Sequence, residues 1–529
     1  MLYRFDHPHE GSLKQIAARV GGKGASLWMM RTQLGLPVPP GFTLGIEACL
    51  LWQKSGWTPQ HEDAMRTGLS GLEAELGQSF GNGENPFLVA VRSGAPASMP
   101  GMMDTVLNVG LTTQTCGAFA ALGGADFGRD LERRFLSQYA RVVLGLEVDT
   151  NAVDVRGKIL QQHSAAGLDD PFEQVRSCIE VVFASWDSPR AKAYRSHEGQ
   201  TDIGGTAVTV QAMVFGNLSP NSATGVLFTR NPSTGEKGHM GDILFQAQGE
   251  DVVAGTHIPQ PLSELKTRLP DLAQELFLAA DRIERHYRDM ADIEFTVQDG
   301  RLYILQARVG KRTPQAAARL ALEMCNDPNF NLSRQEALAR LPAGLLEGKL
   351  GLRDSDAAST ILAHGIGASP GSATGQLVFD ADEAVDRAED GWSIILARQE
   401  TCPADVHGMG VSAGIVTALG GLMSHAAVVA RGWAIPAVVG ARDVDIRSDR
   451  LIVGDKTFYQ GDIMSIDGTS GAIFAGDVSS TVRLDSSLDI LRGWARELSG
   501  QRNDDGSQKP ITTRPYNQTE EQRNVTASR

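Results

Sequence analysis

The sequence predicts a multidomain protein of mixed α/β and α+β class. Three observations carry that prediction. The chain has 529 residues, room for three or four domains at roughly 100–200 residues each. Its composition, 42% hydrophobic and 21% charged, is that of an ordinary globular protein. Its local patterns change from Gly-bounded strands to helical spacing, back to strands, and then to a compact run of alternating strands and helices.

Taken in order, residues 20–45 read as a Gly-rich turn, Gly21-Gly22-Lys23-Gly24, then a short helix (ASLWMMRTQLG), then a strand introduced by LPVPPGFTL. Residues 86–110 hold a buried-type strand (PFLVAVRSG), a Gly/Met/Pro loop (APASMPGMMDT) and a second strand (VLNVGL). From about 112 to 200 the apolar spacing is helical, as in LERRFLSQYARVVLGL. Strands return between 205 and 255, then a helix over 272–290 and a hairpin over 291–308. Residues 310–350 are helical, and a compact α/β segment runs from about 360 to 480. The last stretch, 500–529, is too poor in apolar residues to offset its ordering entropy and is predicted to be disordered.

Composition excludes several classes. A net charge of −14 argues against a nucleic-acid binder, though a few local cations can still build a phosphate site. Five widely spaced cysteines without a CxxC argue against a disulfide framework or zinc site and for a reducing cytoplasm. The N-terminus (MLYRFDHPHE) has no apolar core of a signal peptide, and no apolar run of about 18 residues predicts a membrane span.

Three segments carry candidate chemistry. In ADIEFTVQDGRLYILQAR the period-two alternation puts Asp292, Glu294 and Thr296 on one strand face, and Gln306 and Arg308 together on the returning strand. A two-residue Asp-Gly loop would pair 298 with 301 and separate Glu294 from Gln306. A three-residue loop with Gly300 left-handed would pair 292 with 306 and gather all four side chains, and this register is the expected one. Hard oxygen donors such as Glu294 and Gln306 suit Mg²⁺, which fills its remaining positions with water and phosphate. The plain alternative is a solvated hairpin face.

GGKGAS lacks the spacing of a P-loop, so Lys23 as a phosphate partner competes with an ordinary helix-leading turn. Arg92 ends an apolar strand, where an unpaired guanidinium is rare, and Gly101 lies in a loop whose backbone could close over phosphates. Met99, Met102 and Met103 read equally well as core filler. Of the 11 histidines, His425 stands out, placed after a Gly-Gly loop at the start of a small-residue helix (GGLMSHAAVVARG). A helix N-terminus suits a phosphoryl group, and imidazole is a competent nucleophile. A histidine merely packing that helix is the ordinary reading.

Taken together these segments resemble the pyruvate phosphate dikinase family. The matching text is GGKGASL…LGLPVPPGFT, VAVRSGAPASMPGMMDTVLNVGL, MVFGN…TGVLFTRNPSTGEKG, QAQGEDVVAGT, DIEFT…LYILQAR, GIGASPGSATG and SHAAVVARG, in the family's order over about residues 3–480. SMPGMMDTVLN and TRNPSTGEKG favour the dikinase over the related phosphoenolpyruvate synthase. The resemblance implies an ATP-grasp nucleotide-binding domain at 1–310 with a helical insertion at about 112–200. It implies a helical linker at 311–358, a swivelling phosphohistidine domain at 359–480 and a helical, polar tail at 481–529. It implies Lys23, Arg92, Gly101, Asp292, Glu294, Gln306 and Arg308 as the nucleotide site, Glu294 and Gln306 as Mg²⁺ ligands, and His425 as the phosphorylated residue. ATP, inorganic phosphate and pyruvate are the implied substrates.

Two departures stand out. The family's barrel with the pyruvate site has no counterpart here, since about 50 mostly polar residues follow 478. The acceptor site is therefore expected on a separate chain. The family's usual Thr two positions before the histidine is Met423. Competing functions are transfer to another small-molecule acceptor, and a non-catalytic ATP-binding or phosphocarrier regulator. Retention of the Lys, Arg, carboxylate and His set weighs against the last.

Overall fold

The computed structural model describes residues 1–96, 105–149, 154–163, 167–189, 191–192, 195, 204–253, 259–342, 345–346, 361–369, 371–422, 424–433, 435–478 and 486–499. Gly101, Met423 and the tail from 500 lie outside the described residues. Among the described residues no helix is long and apolar enough to cross a membrane. All five cysteines are free.

Two antiparallel sheets come first. In spatial order the first is Leu2–Arg4, Gly41–Leu44, Ala207–Ala212, Val89–Gly94 and Thr105–Val109. Its strands are short and β-branched, and the 113–185 region packs over them as helices Thr113–Gly123, Ala125–Val142, Val155–Gln162 and Pro171–Ser185. Phe42, Val89 and Val91 of the sheet meet Leu131, Phe135, Ile179 and Phe183 in that core. The second sheet runs Gln260–Pro261, Lys237–Phe245, Ala223–Arg230, Ala291–Gln298, Arg301–Val309. Helices Leu13–Trp28 and Pro270–Tyr287 cover one face, with Leu27, Leu276 and Ile283 against Ile293, Phe295 and Val297. The alternate residues of Ala291–Gln298 therefore face away from that core, toward the first sheet.

The hairpin corrects the expected register. Its loop has two residues, with Gln298 paired to Arg301, and Asp299 and Gly300 at φ 46° and 76°. Positive φ at both central residues is the turn that Asp-Gly favours. Phe295 pairs with Ile304 but Glu294 with Gln306, so Leu305 is an extra residue. That β-bulge shifts the returning strand by one, and Asp292 pairs with Arg308 rather than with residue 306. The polar side chains share a face because of the bulge and not because of the turn.

The Gly-rich turn expected at 21–24 narrows to one residue, because Gly21 breaks the Leu13–Trp28 span into two helical pieces and Gly22, Lys23 and Gly24 already belong to the second. Leu13–Trp28 starts at Ser12, whose hydroxyl accepts the Gln15 N–H while Gln15 accepts the Ser12 N–H. Buried Ile16 and Val20 hold the preceding turns, and the helix kinks at Gly21 (φ 73°, ψ 164°). There the backbone passes so close to the Val89–Gly94 strand that a Cβ on Gly21 would sit 1.8 Å from the Gly94 carbonyl oxygen. The Gly22 N–H donates to the Ala95 carbonyl at 2.9 Å, which fixes Lys23 over the end of the Arg92 strand.

A third sheet has eight strands, ordered Ile361–His364, Ala472–Ala475, Ile463–Asp467, Ser372–Val378, Ile394–Arg398, Gly414–Thr417, Ala437–Val439, Ile366–Ser369. Its two outermost strands are consecutive in the chain, separated only by Gly365. Four central neighbours are parallel, with helices Ala381–Glu389 and His425–Trp433 among the crossovers. Apolar residues fill both faces, Leu377 and Ile395 on one, Leu396 and Ile415 with Ala427 and Ala430 on the other.

Helices Pro314–Asn326 and Arg334–Ala339 lie against the second sheet and are joined by Ser486–Ser499, which follows the third. Leu320, Met324 and Leu338 pack with Leu488, Leu491 and Trp494. Arg230, at the end of its strand and fully buried, donates to Glu284 at 2.9 Å and to Glu323 at 2.7 Å, tying Pro314–Asn326 to the sheet.

Gly21→Ala combines a forbidden φ with a backbone clash, so it is expected to cost on the order of 1–3 kcal/mol. Thermal unfolding should show a lowered Tm. A variant with unchanged Tm would contradict this account of the kink.

Candidate functional site

The two antiparallel sheets face each other across a cleft that holds five charged side chains. Arg92, from the first sheet, donates through Nη2 to Glu294 Oε2 at 3.1 Å and to Gln306 Oε1 at 3.3 Å on the second. Arg308 donates through Nε to Asp292 Oδ2 at 2.8 Å. Asp292 is buried, and its Oδ1 has no partner among the described residues. Lys23 adds its charge from the kinked helix. Burial, then the Arg92 and Arg308 guanidinium groups, press its ammonium well below the ordinary lysine range, against the pull of Glu294. Burial alone would raise the Glu294 carboxyl, but Arg92, Arg308 and Lys23 outweigh it and hold the group ionised.

Three cations against two carboxylates leave the cleft one charge positive, a setting for phosphates. Glu294 Oε2 and Gln306 Oε1 both accept from Arg92 Nη2, so two hard-oxygen donors of the kind Mg²⁺ takes stand close together on the second sheet. No cluster of three or more His, Cys, Asp or Glu exists among the described residues. A metal here would be held by few protein ligands and completed by phosphate and water, as Mg²⁺ commonly is.

A cavity of about 990 Å³ opens from this cleft, and its far wall belongs to the third sheet. Arg92, Glu294, Thr296 and Arg308 line one side, and Glu400, Thr401, Gly420, Ser424 and His425 the other. His425 is the first residue of helix His425–Trp433. The Ser424 hydroxyl accepts the Ala427 N–H at 3.4 Å, and Gly420, at φ 107°, makes the turn before it. The ring's Nδ1 lies 3.3 Å from Thr401 Oγ1, while Nε2 is buried and has no partner among the described residues. Burial lowers the imidazole to about 4, with Asp405 pulling the other way. The ring is therefore neutral at physiological pH.

The helix carrying His425 is seated on the second sheet. Val428 packs with Val226, Phe228 and Leu244, and the Arg431 guanidinium lies 5.5 Å from the Phe228 ring centre. Asp242 accepts the Leu422 N–H, and a Cβ on Gly421 would come within 2.8 Å of its Oδ2. Burial raises the Asp242 carboxyl, opposed by Arg431 and that hydrogen bond.

Sequence reasoning missed several residues of the cavity wall. Arg134 is one, bound to Asp251 through two contacts of 2.8 and 2.9 Å and to Asp130 at 2.7 Å. Its only sequence signal was a pair of adjacent arginines, which reads as a solvated helix face. Thr401 gave no signal, because its link to His425 spans 24 residues.

Fold and site define a two-sheet nucleotide-binding protein with a histidine-bearing unit seated over its cleft. The known families agree. The pyruvate phosphate dikinase AMP/ATP-binding domain matches residues 57–274 and 266–327, and the mobile domain of PEP-utilising enzymes matches 392–471. The chain belongs to the pyruvate phosphate dikinase family. It is 40% identical over 552 residues to the chloroplastic pyruvate, phosphate dikinase of Flaveria trinervia, covering 97% of this chain and 58% of the relative. It is 44% identical over 505 residues to pyruvate, phosphate dikinase of Rhizobium meliloti (strain 1021), covering 87% and 56%. With the Clostridium symbiosum enzyme the values are 39% over 531 residues, 93% and 60%. The chain thus spans a little under two thirds of the length of these relatives.

A histidine titrating near 4 when seated, against 6.5 when unfolded, binds a proton more weakly in the folded state. Its contribution to stability is full above pH 6.5 and declines as the pH falls toward 4. NMR titration of His425 should show a neutral ring at pH 6. A midpoint near 6.5 would mean that the ring is solvated and not seated.

Proposed function

We propose that the chain is the nucleotide and phosphohistidine portion of a pyruvate, phosphate dikinase-type phosphotransferase. The observation that carries the reading is that His425, carried by the third sheet's unit, lines the same cavity as Arg92, Glu294 and Arg308. ATP sits between the two sheets, with its phosphates among Lys23, Arg92 and Arg308. Glu294 and Gln306 hold Mg²⁺, which when bound neutralises charge on the phosphates. Asp292 keeps the Arg308 guanidinium oriented.

Nε2 attacks the β-phosphorus of ATP. An N–P bond forms, the P–O bond to the α-phosphate breaks, and AMP leaves with the electron pair. The resulting pyrophosphohistidine gives its terminal phosphoryl to inorganic phosphate, forming pyrophosphate. Catalysis then rests on positioning and on charge stabilisation by fixed donors. The neutral imidazole needs no base to remove a proton before attack.

The phosphoryl group that remains passes to pyruvate or another acceptor at a site outside the two units, on a separate chain. The free cysteines and the absence of a membrane-length helix among the described residues fit action in the cytoplasm.

Incubation with β-labelled ATP, Mg²⁺ and phosphate should give acid-labile label on the chain together with AMP. His425→Asn should abolish the label while ATP still binds, and a labelled His425→Asn chain would sink the assignment. Glu294→Ala should slow labelling by roughly 100-fold or more. Adding pyruvate to the chain alone should yield little phosphoenolpyruvate; formation at the rate of the ATP half-reaction would place the acceptor site within these residues.

A further inference from the structure

The far end of the histidine helix meets a lysine that the proposed reaction does not use. Resting on the reading that His425 is the phosphoryl carrier, we infer that Lys311 is a positioning residue for it: the Lys311 ammonium holds the C-terminal turn of helix His425–Trp433 and so fixes where His425 stands in the cavity wall. The contact is close. A Cβ on Gly432 would lie 3.5 Å from Lys311 Nζ, 3.7 Å from Cε and 3.8 Å from Cδ. The lysine stem therefore runs across the bare backbone of that turn.

The charge suits the place. The last carbonyls of a helix have no intrahelical donor, and the aligned peptide dipoles leave that end negative. Here the Ile435 N–H takes the Ala430 carbonyl at 2.9 Å, which closes one of them. Arg431, the basic residue of the last turn, directs its guanidinium to the Ala368 carbonyl at 3.0 Å and to the Leu422 carbonyl ahead of the helix. Lys311 brings its charge to the helix end from the second sheet's unit.

Lys311 is itself firmly placed. It stands just past strand Arg301–Val309, three residues after Arg308. The Gly310 N–H before it donates to the Met290 carbonyl at 2.9 Å, and Arg312 after it pairs with Asp289 at 2.9 Å. The Thr313 hydroxyl then donates to the Ser233 carbonyl at 2.7 Å. The strand that carries Gln306 and Arg308 thus continues into the residue that receives the helix. The same helical turn is bounded by Trp433, which packs with Ala95, Trp186 and Ala191.

The helix has nine residues, a lever of about 13 Å between the lysine contact and the ring. Displacing one end displaces the other, and transfer between fixed groups is sensitive to shifts of about 1 Å. Lys311 does not line the cavity, so its loss acts on the carrier and not on the nucleotide.

The test compares the full chain with Lys311→Met, which keeps the stem and removes the charge, and with Lys311→Arg, which keeps the charge. With β-labelled ATP, Mg²⁺ and phosphate, Lys311→Met should lower the labelling rate constant by roughly 3–10-fold at unchanged KM for ATP. The NMR titration midpoint of His425 should move upward in the same variant, because a ring seated for less of the time titrates more like a free imidazole. Lys311→Arg should stay close to the parent in both measurements. Added salt should slow the parent more steeply than Lys311→Met. A Lys311→Met chain with the parent's labelling rate and titration midpoint overturns the inference. So does one whose KM for ATP rises while the midpoint stays, which would put the lysine at the nucleotide. A Lys311→Arg chain as impaired as Lys311→Met also overturns it, since that is the signature of packing on Gly432. A parent chain that takes no label removes the carrier reading instead, and the titration shift still decides whether Lys311 seats the helix.

Discussion

The cleft is set by one contact, a guanidinium of the first sheet held between a carboxylate and an amide of the second. Arg92 reaches Glu294 and Gln306 across the gap from strand to strand. Partly buried charge of this kind is costly unless it is paired, so the cluster disciplines everything around it. Glu294 must stay ionised between three cations, and Lys23 is left with the least compensation. The result is a site whose unmet electrostatic demand is for anionic oxygen.

The histidine-bearing unit answers to the same site from the opposite wall. Its contacts with the second sheet are few and mixed in kind: Val428 in an apolar patch, Arg431 against the Phe228 ring, and Gly421 and Leu422 against Asp242. Such a surface is more like a transient interface than a domain core. It holds a neutral ring in the wall of the cavity that Arg92, Glu294 and Arg308 line.

Much of the architecture was legible because it rested on local chemistry. Alternating residues gave the strands, helical spacing gave the region over 113–185, and the Ser-His junction gave the start of the histidine helix. What escaped were features decided by non-local geometry. The hairpin register was missed because a bulge at Leu305 has no local signature stronger than an ordinary leucine, yet it changes which residues face the cleft. The glycines at 21–24 looked like a turn because glycine is a poor helix former. The break does occur, but at Gly21 alone: the Ser12 cap and buried Ile16 and Val20 hold the helix before it, and buried Leu27 holds the one after it. The candidate side chains were recognisable by type, but Thr401 and Arg134 took their places only once the chain had folded.

The return of helix Ser486–Ser499 to Pro314–Asn326 and Arg334–Ala339 has a consequence for how the histidine meets its phosphate source. Both ends of the eight-stranded unit are moored to one base, with Arg334 adding an ion pair to Glu497 and a cation–π contact with Trp494. The unit is thus a bead on a closed cord. Its encounter with the cleft is governed by effective concentration, in the millimolar range for short tethers, and not by how much of the protein is present. A unit tethered in this way needs less from its docking face than two separate molecules would.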